Sequence, residues 1–295
     1  MEQFRNIGLM GRPGNTVVVD TLEYLHHFLE GRGLKVIYDE DTAALMQLPG
    51  LQVCTRSMLG EACDLVIVVG GDGSFLHAAR SLARFNKPVL GVNRGRLGFL
   101  TDVSPDKIEE KIGAVLNGDY KIEQRFLLSM ESRSGGSPTG EGIALNDIVL
   151  HAGKSVHMIE FELYIEGQFV YRQRSDGLII ATPTGSTAYA LSGGGPIMHP
   201  RLDAMVLVPM HPHTLSSRPI VVEGNSEIKL LICSDDICPV VSCDAQTGPV
   251  LRAGDWVYIK KHPFKLRVIH PPGHDFYEAC RTKLGWSSHL TSPGD

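Results

Sequence analysis

Gly70-Gly71-Asp72-Gly73-Ser74 stands between an apolar run over residues 65–69 and a helical pattern that opens Phe75-Leu76-His77. Glycines at a strand-to-helix turn let a ligand approach the backbone, and the free N–H groups of a helix N-terminus attract anions. Gly70, Gly71, Gly73 and Ser74 therefore read as a phosphate loop. A carboxylate in such a loop repels the anion, so Asp72 needs a task that outweighs repulsion. It could hold a metal, or take the proton of an alcohol attacking a phosphoryl group. The plain alternative is an Asp capping a helix that starts at Ser74.

Two further constellations could carry chemistry. Thr182-Pro183-Thr184-Gly185-Ser186-Thr187-Ala188-Tyr189-Ala190-Leu191-Ser192 follows a strand-like run and ends in three glycines. Its hydroxyls and N–H groups suit a ribose, an amide or a phosphate, and Tyr189 suits the face of a base. An ordinary Ser/Thr-rich turn is the alternative. Asn146-Asp147 interrupts the apolar run 143–151 with polar groups that need partners. Asn can pair both edges with an adenine or a carboxamide; a bulge satisfying its own backbone is the other reading. His26, His27, His199, His211, His213 and His262 show no HExxH-type spacing and read as structural or surface residues.

Apolar runs at 6–10, 34–38, 65–69 and 89–92 alternate with helical patterns at 17–32 and 74–85, which predicts a parallel sheet with crossover helices. The loop Gly11-Arg12-Pro13-Gly14-Asn15 then lies at a strand end where ligands collect. Ser104-Pro105 predicts a helix start, with an end near Asn117-Gly118. From Tyr120 the period turns to two. Strands are expected at 122–131, 143–151, 159–165, 168–174, 178–181, 205–208, 220–222, 227–233, 240–243, 256–260 and 265–269, a pattern that predicts a sandwich. Glu166-Gly167 reads as a hairpin turn and residues 134–142 as a mobile loop. A helix at 276–284, with Phe276, Tyr277, Cys280 and Leu284 at helical spacing, is expected to pack back on the first domain. The domains are expected at 1–119, 120–272 and 273–295.

The chain has 295 residues, 43% hydrophobic and 21% charged, an ordinary globular composition with room for two domains. A net charge of −5 argues against a protein that coats nucleic acid. Met1–Arg5 carries no signal-peptide pattern, and no apolar stretch is long enough to span a membrane, so a cytoplasmic location is expected. Cys233, Cys238 and Cys243 are evenly spaced, but strand patterns around them favour buried reduced thiols over a metal cluster. Cys54, Cys63 and Cys280 complete the set.

Gly70-Gly71-Asp72-Gly73, Asn93-Arg94-Gly95-Arg96-Leu97-Gly98-Phe99-Leu100, Asn146-Asp147, the stretch 174–196, His213-Thr214-Leu215-Ser216-Ser217-Arg218-Pro219 and Ser242-Cys243-Asp244-Ala245-Gln246 together resemble the bacterial NAD kinases, from about Asn6 to Trp286. The GGDG loop is shared with phosphofructokinases and with diacylglycerol and sphingosine kinases; the ordered set is far more specific. The resemblance implies a Rossmann-like α/β domain plus an all-β, sandwich-like domain, with the C-terminal segment returning to the first. It implies transfer of the terminal phosphoryl group of ATP to the 2′-hydroxyl of the adenosine ribose of NAD, giving NADP, with a divalent metal, Mg²⁺. Asp72 becomes the proton acceptor and, with Gly73, touches NAD. Asn146, Asp147, His157, Arg174, Asp176, Thr187, Ala188, Tyr189, Ala190, Leu191, Ser192 and Gln246 join the NAD site. Asp147 is placed near the adenosine ribose, and Arg174 at the position linked to preference for NAD over NADH. Ser74 replaces the common Thr, and Asp147 the equally common Glu.

The family forms homodimers or homotetramers, so self-association is expected, with Asp176 acting across a subunit boundary. The chain lacks a Walker A lysine, which leaves phosphate charge to the metal and to arginines such as Arg94 or Arg96. The rival readings are a lipid or sugar kinase sharing the loop, and a dinucleotide-binding regulator without turnover. No nucleic acid or membrane partner is expected.

Overall fold

A computed structural model describes residues 4–12, 16–46, 48–94, 98–153, 155 and 157–286. Pro13, Gly14 and Asn15 of the first predicted loop, and Arg96, lie outside the described residues. Two compact units divide the chain: residues 1–124 with 266–295, and residues 125–265.

In the first unit, β1 (Asn6–Gly11), β2 (Lys35–Asp39), β3 (Gln52–Cys54), β4 (Leu65–Val69) and β5 (Pro88–Val92) form a parallel sheet in the order β5-β4-β1-β2-β3. Every residue of β4 and β5 is buried, as parallel strands covered on both faces must be. On one face α1 (Thr16–Glu30) contributes Leu22, Leu25 and Leu29 at helical spacing, and α5 (Ile108–Leu116) contributes Ile108, Ile112 and Val115. Helices α2 (Glu40–Ala43), α3 (Arg56–Ala62) and α4 (Asp72–Leu82) complete the crossovers. A Cβ at Gly8 would lie 3.1 Å from Cys63 Sγ and 3.3 Å from Leu59 Cγ, so the missing side chain lets α3 sit tightly on β1.

In the second unit, β6 (Lys121–Ser134), β7 (Ser137–Ala144), β9 (Ile159–Ile165), β10 (Gln168–Ser175), β14 (Ile228–Ile232) and β17 (Trp256–His270) belong to one sheet. The other sheet runs β13 (Ile220–Glu223), β12 (Ala204–Met210), β11 (Gly177–Ala181), β8 (Asp147–His151), β15 (Val240–Cys243), β16 (Gln246–Val250). Alternate residues of the two sheets, such as Phe161, Leu230 and Ile259 against Ile148, Ile180 and Leu207, fill one shared core. The opposite face of the second sheet is also apolar: Val149, Ile179, Val206 and Val208 pack with Ala190 and Met198. That double burial explains why β8, β11 and β12 read as continuous apolar runs.

Several local expectations change. Residues 134–142, expected as a mobile loop, are mostly strand β7, paired to β6 through Gly135 and Gly136 at φ +55° and +85°. Two consecutive left-handed residues close a tight hairpin, and only the glycines were visible in the pattern. The expected strand 143–151 is broken at Leu145 and Asn146, where the chain leaves one sheet for the other. The two strands expected at 256–260 and 265–269 are one, β17, which pairs with β14 near its start and with β5 near its end. Because β6 and β17 run through both units, the chain passes between them at 124/125 and 265/266 rather than at the expected 119/120 and 272/273. Glu166 and Gly167, at φ +51° and +74°, make the expected hairpin turn.

None of the six cysteines is in a disulfide; Cys243 is buried and Cys238 exposed, so the evenly spaced trio is not uniformly buried. Burial pushes the Cys63 thiol up to about 12. Helix α6 (Tyr189–Ser192) is a single turn, and helix α7 (Phe276–Leu284) has the expected bounds, with Cys280 buried and Tyr277 largely exposed.

Candidate active site

Adjacent parallel strands bring the loops after β4 and β5 together. The N–H of Gly70 donates to the carbonyl of Val92 at 2.9 Å, and a Cβ at Gly70 would strike the Ser74 side chain. Asp72 is the first residue of α4, with Gly71 as N-cap, so the helix begins two residues earlier than expected. Its carboxylate does not cap that helix. Oδ2 accepts the N–H of Phe99 at 3.0 Å, while Oδ1 accepts the N–H of Leu100 at 3.1 Å and the hydroxyl of Thr101 at 3.2 Å. Asn93 Nδ2 in turn donates to Thr101 Oγ1 at 2.9 Å. A Cβ at Gly98 would run into Asp72 Oδ1, which makes this glycine a steric requirement of the carboxylate's position.

Gly71 and Gly73 have no heavy atom within 4 Å of where a Cβ would stand. Neither adopts positive φ, so their value is the open approach to the backbone rather than conformational freedom. The N–H groups of Asp72 and Gly73 lie in the first turn, where no intrahelical acceptor exists. Of the two arginines expected to meet phosphate, Arg94 donates to the Thr21 hydroxyl at 2.6 Å.

The second unit contributes a corner. Asp244, in the β15–β16 turn with Ala245 at φ +47° and +60°, points its carboxylate at the break between β7 and β8. It accepts the N–H groups of Leu145 at 2.9 Å, Asn146 at 2.8 Å and Asp147 at 3.3 Å. Burial, reinforced by the Asp244 charge, pushes the Asp147 carboxyl up to about 7. Thr182 donates from its hydroxyl to Leu145 O at 2.6 Å and from its N–H to Asn146 O at 2.9 Å. A Cβ at Gly185 would collide with that same Asn146 carbonyl. Asn146 is thus held from both sides, and Gln246 opens β16 just beyond Asp244.

The hydroxyl-rich stretch is largely self-satisfied. Ser186 Oγ donates to Pro183 O and accepts the N–H of Met198, and Thr187 Oγ1 donates to Thr184 O. Ala190 is buried in the outer core, whereas Tyr189 is 46% exposed and Ser192 is exposed. Ala188 and Leu191 are half-buried. Arg174 and His157 are exposed; the Arg174 carbonyl accepts the N–H of His213, and the His157 N–H donates to Ser155 Oγ. Asp176 Oδ2 lies 3.0 Å from His211 Nδ1.

Thus Asn146, Asp147, Thr182, Gly185 and Asp244 converge at one end of the β8–β11 pair, and Arg174, Asp176, His211 and His213 at the other. Sequence reasoning singled out Gln246 from the β15–β16 turn and passed over Asp244. A strand ending in a polar Asp-Ala-Gln turn was the signal available.

A carboxylate fixed at the N-terminus of an open glycine loop on a Rossmann-like sheet, in a chain whose second unit is a β-sandwich, defines a phosphotransferase of the GGDG class. Residues 7–120 match the model of the ATP-NAD kinase N-terminal domain, and residues 145–271 match that of the C-terminal domain. The chain belongs to the ATP-NAD kinase family, and its reaction is the phosphorylation of NAD. It is 62% identical to the NAD kinase of Acinetobacter baylyi over 97% of this chain and 93% of that one. It is 61% identical to the NAD kinase of Pseudomonas putida (strain W619) over the whole of both. Among solved structures, yeast NADH kinase complexed with NADH shares the fold, with TM-score 0.89 and 24% identity over 100% of this chain and 91% of that one. An NAD kinase from Archaeoglobus fulgidus in complex with ATP gives TM-score 0.72 and 25% identity over 96% and 97%. The match along both units sets aside the lipid- and sugar-kinase readings that the loop alone left open.

Proposed function

We propose that the enzyme moves the terminal phosphoryl group of ATP to the 2′-hydroxyl of the adenosine ribose of NAD, with Asp72 as general base. The Asp72 carboxylate carries this reading. An ionised carboxylate has about four acceptor sites, and three are taken by Phe99, Leu100 and Thr101. The remaining site on Oδ2 suits one hydroxyl proton. The ATP bound to the Archaeoglobus fulgidus relative supports the same donor here.

Gly71 and Gly73 leave room for phosphate oxygens at the start of α4, where the helix N-terminus favours negative charge. A divalent cation, Mg²⁺ in our reading, would neutralise charge on the donor phosphates. With the last Asp72 acceptor site assigned to the hydroxyl, the donor phosphates and water at the open loop would hold the ion, as Mg²⁺ commonly keeps several waters and binds phosphate oxygens. In-line attack then depends on how rigidly Asp72 is held.

On the NAD side we assign Asn146, Asp147, His157, Arg174, Asp176, Gln246 and residues 187–192. Asp147, at about 7, exchanges between acid and carboxylate near neutrality and so can donate to or accept from a ribose oxygen. Ala181 pairs with Asp147 and Gly177 with His151, which puts Asp176 about 17 Å along the sheet from Asp147. That separation supports a self-associated enzyme, dimer or tetramer, in which Asp176 serves a neighbour's site. No helix of the described residues is long and apolar enough to cross a membrane. Six cysteines with no disulfide among them support a cytoplasmic setting.

Incubation with ATP, Mg²⁺ and NAD, followed by detection of NADP, tests the reaction. Asp72→Asn should lower kcat by roughly 10²–10⁴-fold in a folded protein. Near-normal turnover would remove Asp72 as the base.

A further inference from the structure

Asp102, His270 and His274 converge at one point of the first unit. His270 closes β17, and the turn Pro271-Pro272-Gly273, with Gly273 at φ +85°, brings His274 back over it. The two imidazoles stack with centroids 3.6 Å apart and planes 19° apart. His270 Nδ1 lies 2.9 Å and His274 Nδ1 2.8 Å from the same oxygen, Asp102 Oδ2. On its other side, His270 Nε2 is 3.3 Å from Glu123 Oε2.

A neutral imidazole carries one ring proton. Either placement of that proton leaves the other nitrogen's lone pair against a carboxylate, Asp102 Oδ2 at 2.9 Å or Glu123 Oε2 at 3.3 Å. A lone pair against a carboxylate is repulsive unless positive charge stands between them, supplied by a metal ion or by a second ring proton. The geometry points to a metal: a Zn²⁺-class site formed by the Asp102 carboxylate and the Nδ1 atoms of His270 and His274, with Glu123 as the carboxylate that fixes the His270 tautomer.

Three further observations agree. Asp102 Oδ1 is buried and accepts no hydrogen bond among the described residues, so it is available to a cation. A histidine whose outer nitrogen meets a carboxylate is the usual arrangement of a metal ligand. A cavity of about 430 Å³, lined by Asp102, His274, Lys107 and Lys111, offers an entry path and an open fourth position for water or an anion. Two imidazoles and one carboxylate favour zinc over Mg²⁺ or Ca²⁺, which take oxygen ligands. Zinc–ligand bonds of about 2.0–2.1 Å would spread the donor atoms to about 3.3 Å apart, and because imidazole donates in its ring plane, the two stacked rings must turn toward the ion. An ion here would pin the end of β17 and the turn before α7 to Asp102, whose neighbour Thr101 holds Asp72.

The test uses the full-length enzyme without an affinity tag, stripped with EDTA and titrated with Zn²⁺ against a chelating dye. One Zn²⁺ per chain is expected, with Tm raised by roughly 5 °C at a hundredfold excess over Kd. His274→Ala and Asp102→Asn should each abolish the stoichiometric site, and Glu123→Gln should weaken it about 10–100-fold. Wild type that binds no stoichiometric zinc, or binds it no better than His274→Ala, would overturn the site. So would ¹⁵N spectra of the zinc-treated protein showing both His270 ring nitrogens protonated, since the second proton would then supply the charge.

Discussion

Asp244 Oδ1 lies 2.8 Å from the amide nitrogen of Asn146, ninety-eight residues away in the chain, and the same carboxylate takes the N–H groups on either side. The N–H groups at the corner between the two sheets of the second unit are thus gathered by one side chain, while Thr182 takes the carbonyls. Asp244→Ala leaves three N–H groups to find water, and should cost about 3 kcal/mol in urea unfolding and raise KM for NAD more than it lowers kcat. Asp244→Asn keeps one acceptor oxygen and tolerates the left-handed backbone, so it should fall between. Equal stability of all three proteins would show that the corner is held otherwise.

Gly98→Ala should damage catalysis without touching any ligand. Its Cβ meets Asp72 Oδ1 and Thr101 Oγ1, and a displacement of about 1 Å in a reacting group can cost on the order of 10²-fold in rate. The expected signature is a fall in kcat with KM for NAD little changed, measured by steady-state kinetics.

Gly73→Ala separates stability from ligand approach. The residue lies in α4 with open space around the missing side chain, so alanine should stabilise the free protein by about 0.5–1 kcal/mol. The same methyl occupies the approach to the loop, and KM for ATP should rise. Thermal melts and ATP titrations on one preparation check both halves.

Asp147 makes stability depend on pH. Its folded-state value of about 7 lies above the ordinary 3.8, so the folded protein binds this proton more tightly than the unfolded chain does. The stabilisation is fully present below about pH 4 and is lost as pH rises through about 7. Asp147→Asn should lack this slope and exceed the parent by on the order of 3 kcal/mol at pH 8, in denaturant titrations without NAD. Parallel curves for parent and variant across pH 4–8 would contradict the assignment.

Much of the first unit was legible because its elements are local. Alternating apolar runs and helical patterns marked β1, β2, β4 and β5, and the glycine–Asp loop announced itself at the junction of β4 and α4. The second unit was harder. Strand β7 looked like a loop because its residues are small and polar and its pairing to β6 depends on a two-glycine turn. The break at Leu145 and Asn146 was invisible because its apolar flanks continue on both sides, each burying into a different sheet.

The GGDG loop and the ordered motifs around it, read from the chain alone, determined the family and the reaction, since residue type and spacing carry that information directly. Only the tertiary structure decided what holds those motifs. Asp72 is fixed by residues 99–101, Asn146 by Asp244 and Gly185, and Asp102 meets two histidines about 170 positions away. Such convergences arise from strand order and turn geometry, which bring distant side chains to one point and leave no periodic trace in the sequence.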